Sequence, residues 1–280
     1  MRKVLFILFF TFLLTPTFFA YAEAPIKILL VPGHDDEVWG AQYGNIKEAD
    51  MNLSLAQELF NILKKDKRFE VYITRKWGGY TKEFEDYFTT QEDEILAFKE
   101  NAKADMLGKI ISGIFIKKPN PPHNVVSKGG AVLLYGFNKW ANENKIDAMI
   151  HIHFNDYPRP NKWTIGKYWG FNLYIPEEQM VNAKESKDLA QNVFTKLKEK
   201  YVVSNYEKER AGLVPDQTLI ALGSNSSLRE TVRSILIEYG YIYEKKFRTK
   251  STRHQAYKDM AKLTAQGIKS YFSPTLSTLP

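Results

Sequence analysis

Apolar positions along this 280-residue chain repeat with two different spacings. Ile26 to Val31, Ala148 to His153 and Ser234 to Glu238 are short apolar runs with the length and content of buried strands. Phe69 to Thr74 (FEVYIT) alternates as a further strand, and Tyr168 to Ile175 supplies another. Between these runs the spacing lengthens to the helical period. Leu55, Ala56, Leu59, Ile62 and Leu63 stripe one face of a helix that opens at Glu48, and a second helix through Phe137, Trp140 and Ala141 leads into the strand at Ala148. Helices are also expected from about Ala183 to Lys200 and from about Thr252 to Tyr271. Strands alternating with helices predict an α/β fold: one domain with a twisted, mostly parallel sheet flanked by helices.

One stretch breaks that rhythm. Between Arg75 and Gly130 lies a helical pattern, TTQEDEILAFKENAKADMLGKIISGIF, followed by the breaker-rich KKPNPPHNVVSKGG. An excursion of this length in a compact domain is usually a lid or binding element, or a linker, and the apolar residues near Ile110 to Phe115 favour a packed element. The insertion is placed at about residues 76–128 of a single domain spanning 23–280. It is expected to lie over or beside the functional cleft, with an apolar face made by Ile95, Leu96, Phe98, Leu107 and Ile110.

The chain opens with Arg2 and Lys3, an uncharged run rich in Leu and Phe as far as Phe19, and Ala20-Tyr21-Ala22. This is the layout of a secretory signal peptide over residues 1–22, so export to a periplasm, cell wall or extracellular space is expected, with no stable membrane span after cleavage. There is no cysteine, so disulfides are excluded and the core alone must hold the fold. The formal charge of +7 would fall to about +5 without a leader that carries Arg2, Lys3 and no acid. Lys and Arg are scattered among acids, without the aromatic-interleaved basic stripe of a nucleic-acid surface, so no nucleic-acid partner is expected.

The candidate chemistry lies at the ends of the predicted elements. His34 follows the first strand in VPGHDDEVWG, Glu48 opens the next helix, His153 ends the run in DAMIHIHFND, and Glu238 ends the one in SILIEYGY. Loops of an α/β sheet converge on the rim where its strands end, so these four can meet there. Two imidazoles and one carboxylate are a usual zinc set that leaves a position for water, and the fourth residue remains as a free carboxylate. Taken singly each has a plainer reading. His34 suits a turn, Glu48 the positive start of a helix, His153 a satisfied strand end, and Glu238 a buried acid paired with Arg229 or Arg233. His151 and His153 share a strand face, so either could reach a metal, and His153 is nearer the strand's end. His151, Asn155 and Asp35 are expected around the pocket, while His123 and His254 are read as structural.

Taken in order, VPGHDDEVWGAQYGNIKEADMNLSLAQEL, VYITR, ANENKIDAMIHIHFND, AGLVPDQTLIAL and SILIEYGYI resemble the blocks of the zinc-dependent N-acetylmuramoyl-L-alanine amidases of the third amidase family, over most of the chain from Lys27 to about Tyr243. The resemblance implies zinc held by His34, Glu48 and His153, with Glu238 catalytic, and so favours His153 over His151. The chain departs from the family pattern at Asp35, where Gly is common, at His151, where Ser is common, and in the long excursion. The implied activity is hydrolysis of the amide joining N-acetylmuramic acid to L-alanine in peptidoglycan or muropeptides, with a regulatory protein as a possible partner. Two alternatives stand beside it: a zinc hydrolase of another envelope amide, and a catalytically silent peptidoglycan-binding protein.

Overall fold

A computed structural model of the chain describes residues 24–118 and 128–273. The expected leader and His123 lie outside the described residues, as does much of the breaker-rich loop. Where the apolar runs stand, the chain forms β1 (Ile26–Pro32), α1 (Glu48–Leu63) and β4 (Phe69–Ile73), with the short hairpin β2 (Gln42–Tyr43) and β3 (Ile46–Lys47) just before α1. A second hairpin follows, β5 (Arg75–Lys76) and β6 (Gly79–Tyr80), and then the excursion as α2 (Lys82–Thr90) and α3 (Glu92–Ile111). The core resumes with α4 (Lys128–Glu143), β7 (Ala148–Asn155), β8 (Asn172–Pro176), α5 (Ala183–Lys198) and β9 (Leu213–Asp216). It closes with β10 (Arg233–Tyr241), the one-turn helix α6 (Lys245–Arg248) and α7 (Lys250–Tyr271).

Six strands form the sheet in the order β4-β1-β7-β10-β8-β9. The first four run parallel, β8 is antiparallel to β10, and β9 pairs parallel with β8. The fold is therefore a single α/β domain with a mostly parallel sheet, as the alternation predicts. Because side chains alternate across a strand, each face collects its own core. Ile28, Leu30, Ile150, Ile152, Ile235 and Ile237 pack beneath α1, α5 and α7, while Leu29, Val31 and Met149 pack against Phe137 and Trp140 of α4 and Phe84 of α2. The second face also carries His151, His153 and Glu238, by parity with Met149 and Leu236.

Strand β9 went unread because Pro215 interrupts it. Proline cannot donate to a sheet ladder and is tolerated at an edge, which is where β9 lies, with Pro215 exposed. The described part of the excursion packs along the α4 side of the sheet, with Phe84 of α2 in one cluster with Leu29, Val31 and Met149. Ile95 and Ala102 bury against Tyr135 of α4, and Met106, Ile110 and Phe115 bury against Met180 and Ala183. Its expected apolar face is only partly used, since Leu107 is exposed. The tail after α3 is pinned by Ile116 N–H donating to Gln179 Oε1 (2.8 Å) and Lys118 N–H donating to Gln217 Oε1 (2.9 Å).

Candidate metal centre and active site

The carboxyl ends of β1, β7 and β10 and the start of α1 meet at one rim of the sheet. His34 comes off the end of β1 through Gly33, in the left-handed region at φ 60°, a conformation that β-carbon-bearing residues adopt at some strain. Two glycines make room for the cluster. A β-carbon on Gly33 would fall 2.1 Å from the His153 ring, and one on Gly40 (φ 68°) would fall 2.4 Å from Glu48 Oε2. Both positions therefore need a residue without a side chain.

Glu48 is the hub. Its Oε1 lies 3.1 Å from His153 Nδ1 and its Oε2 lies 3.2 Å from His34 Nε2. The same carboxylate accepts from Ala41 N–H (2.8 Å) and Phe154 N–H (3.2 Å), which fixes both oxygens from the loop and from β7. Burial would raise its pKa, but the bonds to His153 and His34 hold it far below the usual carboxylate range. For His34, burial is outweighed by the bond and charge of Glu48, and the ring's proton affinity rises; for His153 burial prevails and it falls. An ionised carboxylate between two imidazoles is the form in which metal ligands must be presented.

A buried guanidinium ties the two halves of this cluster together. Arg75 is 2% exposed and donates to three backbone carbonyls: Pro32 and Gly33 before His34, and Ala49 after Glu48. Asn52, one turn along α1, adds a bond to Gly33 O at 2.8 Å. Sequence reasoning quoted Arg75 only as the end of a strand block; an Arg at a strand end looks like a surface residue, and only the packing shows it as a clamp.

Glu238 stands beside His153 in register on the neighbouring parallel strand, and Asn172 of β8 flanks it on the other side. Glu238 Oε2 is buried without a hydrogen-bond partner. Burial first, then the charges of Glu48 and Glu209, push its pKa well above the ordinary carboxylate value. The alternative pairing with Arg229 or Arg233 is not formed: Arg233 binds Tyr271 and Glu185, and the Arg229 N–H donates to Asn142.

The remaining expected pocket residues are placed as follows. His151 is buried behind the centre, and burial, then His153, lower its pKa to about 3, so it stays neutral. Asn155 donates to Glu209 Oε1 at 2.8 Å. Asp35 folds back on its own loop, accepting from Val38 N–H (2.7 Å), and receives the Tyr80 hydroxyl at 3.2 Å. Glu209 was missed. It sits in the charged run YEKER and looks solvated, yet it is 2% exposed and accepts from Asn155, Tyr174, Ser204 and Tyr241.

His34, Glu48 and His153 each offer an atom within 4.8 Å of the others, and among the described residues this is the group able to hold a metal ion. The donor chemistry, the depressed carboxylate and the glycine cradle all fit a zinc ion that two histidines and one carboxylate would hold. The side chains of His34 and His153 keep 29% and 20% exposure, so the described part of the excursion leaves them accessible. Fold and site thus bring a candidate metal centre and a buried carboxylate to one rim of an α/β sheet.

The sequence profile of the N-acetylmuramoyl-L-alanine amidase family matches residues 123–270, more than half of the chain, and the chain belongs to that family of enzymes. The matched region contains His153 and Glu238; the fold brings His34 and Glu48 to them from outside it. Similar folds include an N-acetylmuramoyl-L-alanine amidase from Clostridium difficile 630 (20% identity, 88% of this chain and 96% of that one, TM-score 0.53). Others are the CwlD amidase from Clostridioides difficile in complex with the GerS lipoprotein (17%, 88% and 98%, TM-score 0.56) and the apo form of Ami1 from Mycobacterium abscessus (15%, 89% and 100%, TM-score 0.56). No curated protein matches the sequence significantly.

Proposed function

We propose that this amidase cleaves the bond between the lactyl group of N-acetylmuramic acid and the L-alanine of the stem peptide, with zinc held by His34, Glu48 and His153 and with Glu238 as the catalytic acid–base. The observation that carries this reading is the convergence of the three ligand atoms within 4.8 Å at the strand ends, with Glu238 one strand away on the same face. When bound, zinc supplies Lewis acidity at the carbonyl and lowers the pKa of water to roughly 7. Glu238 takes the proton from the attacking water and delivers it to the departing alanine nitrogen. Its buried Oε2 has no hydrogen-bond partner, so the carboxyl is free to hold that proton between the two transfers. His151, neutral and buried, lies on the same face of β7 two residues before His153.

The leader pattern supports a location outside the cytoplasm, on the side where peptidoglycan lies. Among the described residues no helix is long and apolar enough to cross a membrane. A regulatory partner belongs to the same reading, because the CwlD relative was solved with a lipoprotein. The test is incubation of purified peptidoglycan with the enzyme, with and without chelator, followed by analysis of new amino termini. Chelator-sensitive exposure of alanine amino groups is expected; release of sugar reducing ends instead, or no cleavage, would contradict the assignment.

A further inference from the structure

The β5–β6 hairpin presents Trp77 at its tip. This indole is 60% exposed and has no side-chain partner among the described residues. It borders a cleft of about 210 Å³ lined also by Lys47, Asp50 and Arg253. A larger cleft of about 690 Å³, lined by Lys250 and His254, adjoins it, since both share Ser54, Arg253 and Tyr257. Together they form one trough along the junction of α1 and the start of α7.

One end of the trough is fixed to the metal centre twice. Trp77 is two residues from Arg75, whose guanidinium grips Gly33 and Ala49. Lys47 precedes Glu48, and its ammonium sits 3.4 Å over the ring of Trp39, which is 40% exposed and adjoins Gly40 at the Glu48 carboxylate. Asp50 and Ser54 stand roughly half a turn round α1 from Glu48, so the trough leads away from the centre rather than into it.

The lining suits one kind of occupant. Lys47, Lys250 and Arg253 face a single acid, Asp50. Arg253 Nη1 donates to Phe247 O at 2.7 Å, which orients the guanidinium and leaves Nε and Nη2 without a protein partner among the described residues. An oriented guanidinium with open donors is suited to a carboxylate. A bare indole face offers an apolar platform with a polar edge for the C–H faces of a sugar ring. A glycan polymer whose sugars carry carboxylate-bearing side peptides supplies both.

We propose that this trough is a second binding site for peptidoglycan, holding the muropeptide unit next to the one being cleaved through stacking on Trp77 and carboxylate pairing with Arg253. This rests on the hydrolytic function proposed above. Anchoring a neighbouring unit raises the effective concentration of the scissile bond on a polymer and gives nothing on a single soluble unit.

The test compares wild type with Trp77→Ala, Arg253→Glu and the double variant on two substrates: insoluble purified peptidoglycan and a soluble monomeric muramoyl tripeptide. Co-sedimentation with the insoluble wall is measured in parallel. The double variant should lose roughly tenfold or more in wall hydrolysis and in wall binding, and keep its rate on the soluble unit within about twofold. Unchanged wall binding and hydrolysis would overturn the proposal, as would equal losses on both substrates. Wild type that binds the wall but cleaves neither substrate would count against the hydrolytic reading instead, and the sedimentation of the variants would still decide the binding site.

Discussion

The two halves of the candidate metal centre are built in different ways. His34 and Glu48 come from a loop and a helix start, and their half is held by Arg75 on three carbonyls, by Asn52 on Gly33 and by the Ala41 N–H on Glu48. His153 and Glu238 come from adjacent strands and are aligned by β-sheet register, with Glu238 Oε2 unbonded. A loop has many conformations to lose, so a precise ligand there requires a local clamp. A strand in a parallel sheet has lost them already, and a polar group there can be left free to react.

That contrast gives graded expectations. The largest effect should follow removal of a ligand: His34→Ala or His153→Ala reduces zinc to background by elemental analysis, and wall hydrolysis falls with it. Stoichiometric zinc in both variants would refute the ligand set, and retention only in the His153 variant would assign the third ligand to His151. Next comes the clamp. Arg75→Met leaves three buried carbonyls short of a donor, so zinc affinity should drop by about 10- to 100-fold and the metal-free protein should lose roughly 3 kcal/mol. Competition with a chelator and thermal melts of the apo form measure the two separately; unchanged zinc affinity would mean that the loop half needs no clamp. The smallest effect is at the edge of the same loop. Tyr80→Phe removes the 3.2 Å bond to Asp35, and about 1 kcal/mol of stability should be lost with zinc content unaltered.

The same contrast explains what could be read from the sequence. The strand half was legible because apolar runs ending in His153 and Glu238 state both the element and the face. His34 and Glu48 could be placed at the rim from the run before one and the helical stripe after the other. What joins them could not. Arg75 and Glu209 are charged residues in polar surroundings of the sequence, and only long-range packing turns them into buried hubs with backbone and tyrosine partners. Asp35 was expected at the pocket for its position beside His34, yet its carboxylate is occupied by its own turn and by Tyr80. The excursion's apolar residues showed that it packs, but not where. Its described contacts are with the sheet face through Phe84, with α4 and with the Met180 corner, while His34 and His153 stay partly exposed.

The contrast between a clamped loop half and a sheet half with a free carboxylate is tested most directly by Glu238→Gln, with metal content and turnover measured on the same sample. Glutamine matches the carboxylate in size but cannot take the proton. Zinc should remain at one per chain while hydrolysis of purified peptidoglycan falls by about 10²- to 10⁴-fold. Near-normal hydrolysis, or loss of the metal along with the activity, would contradict the assignment of the proton-transfer role to Glu238.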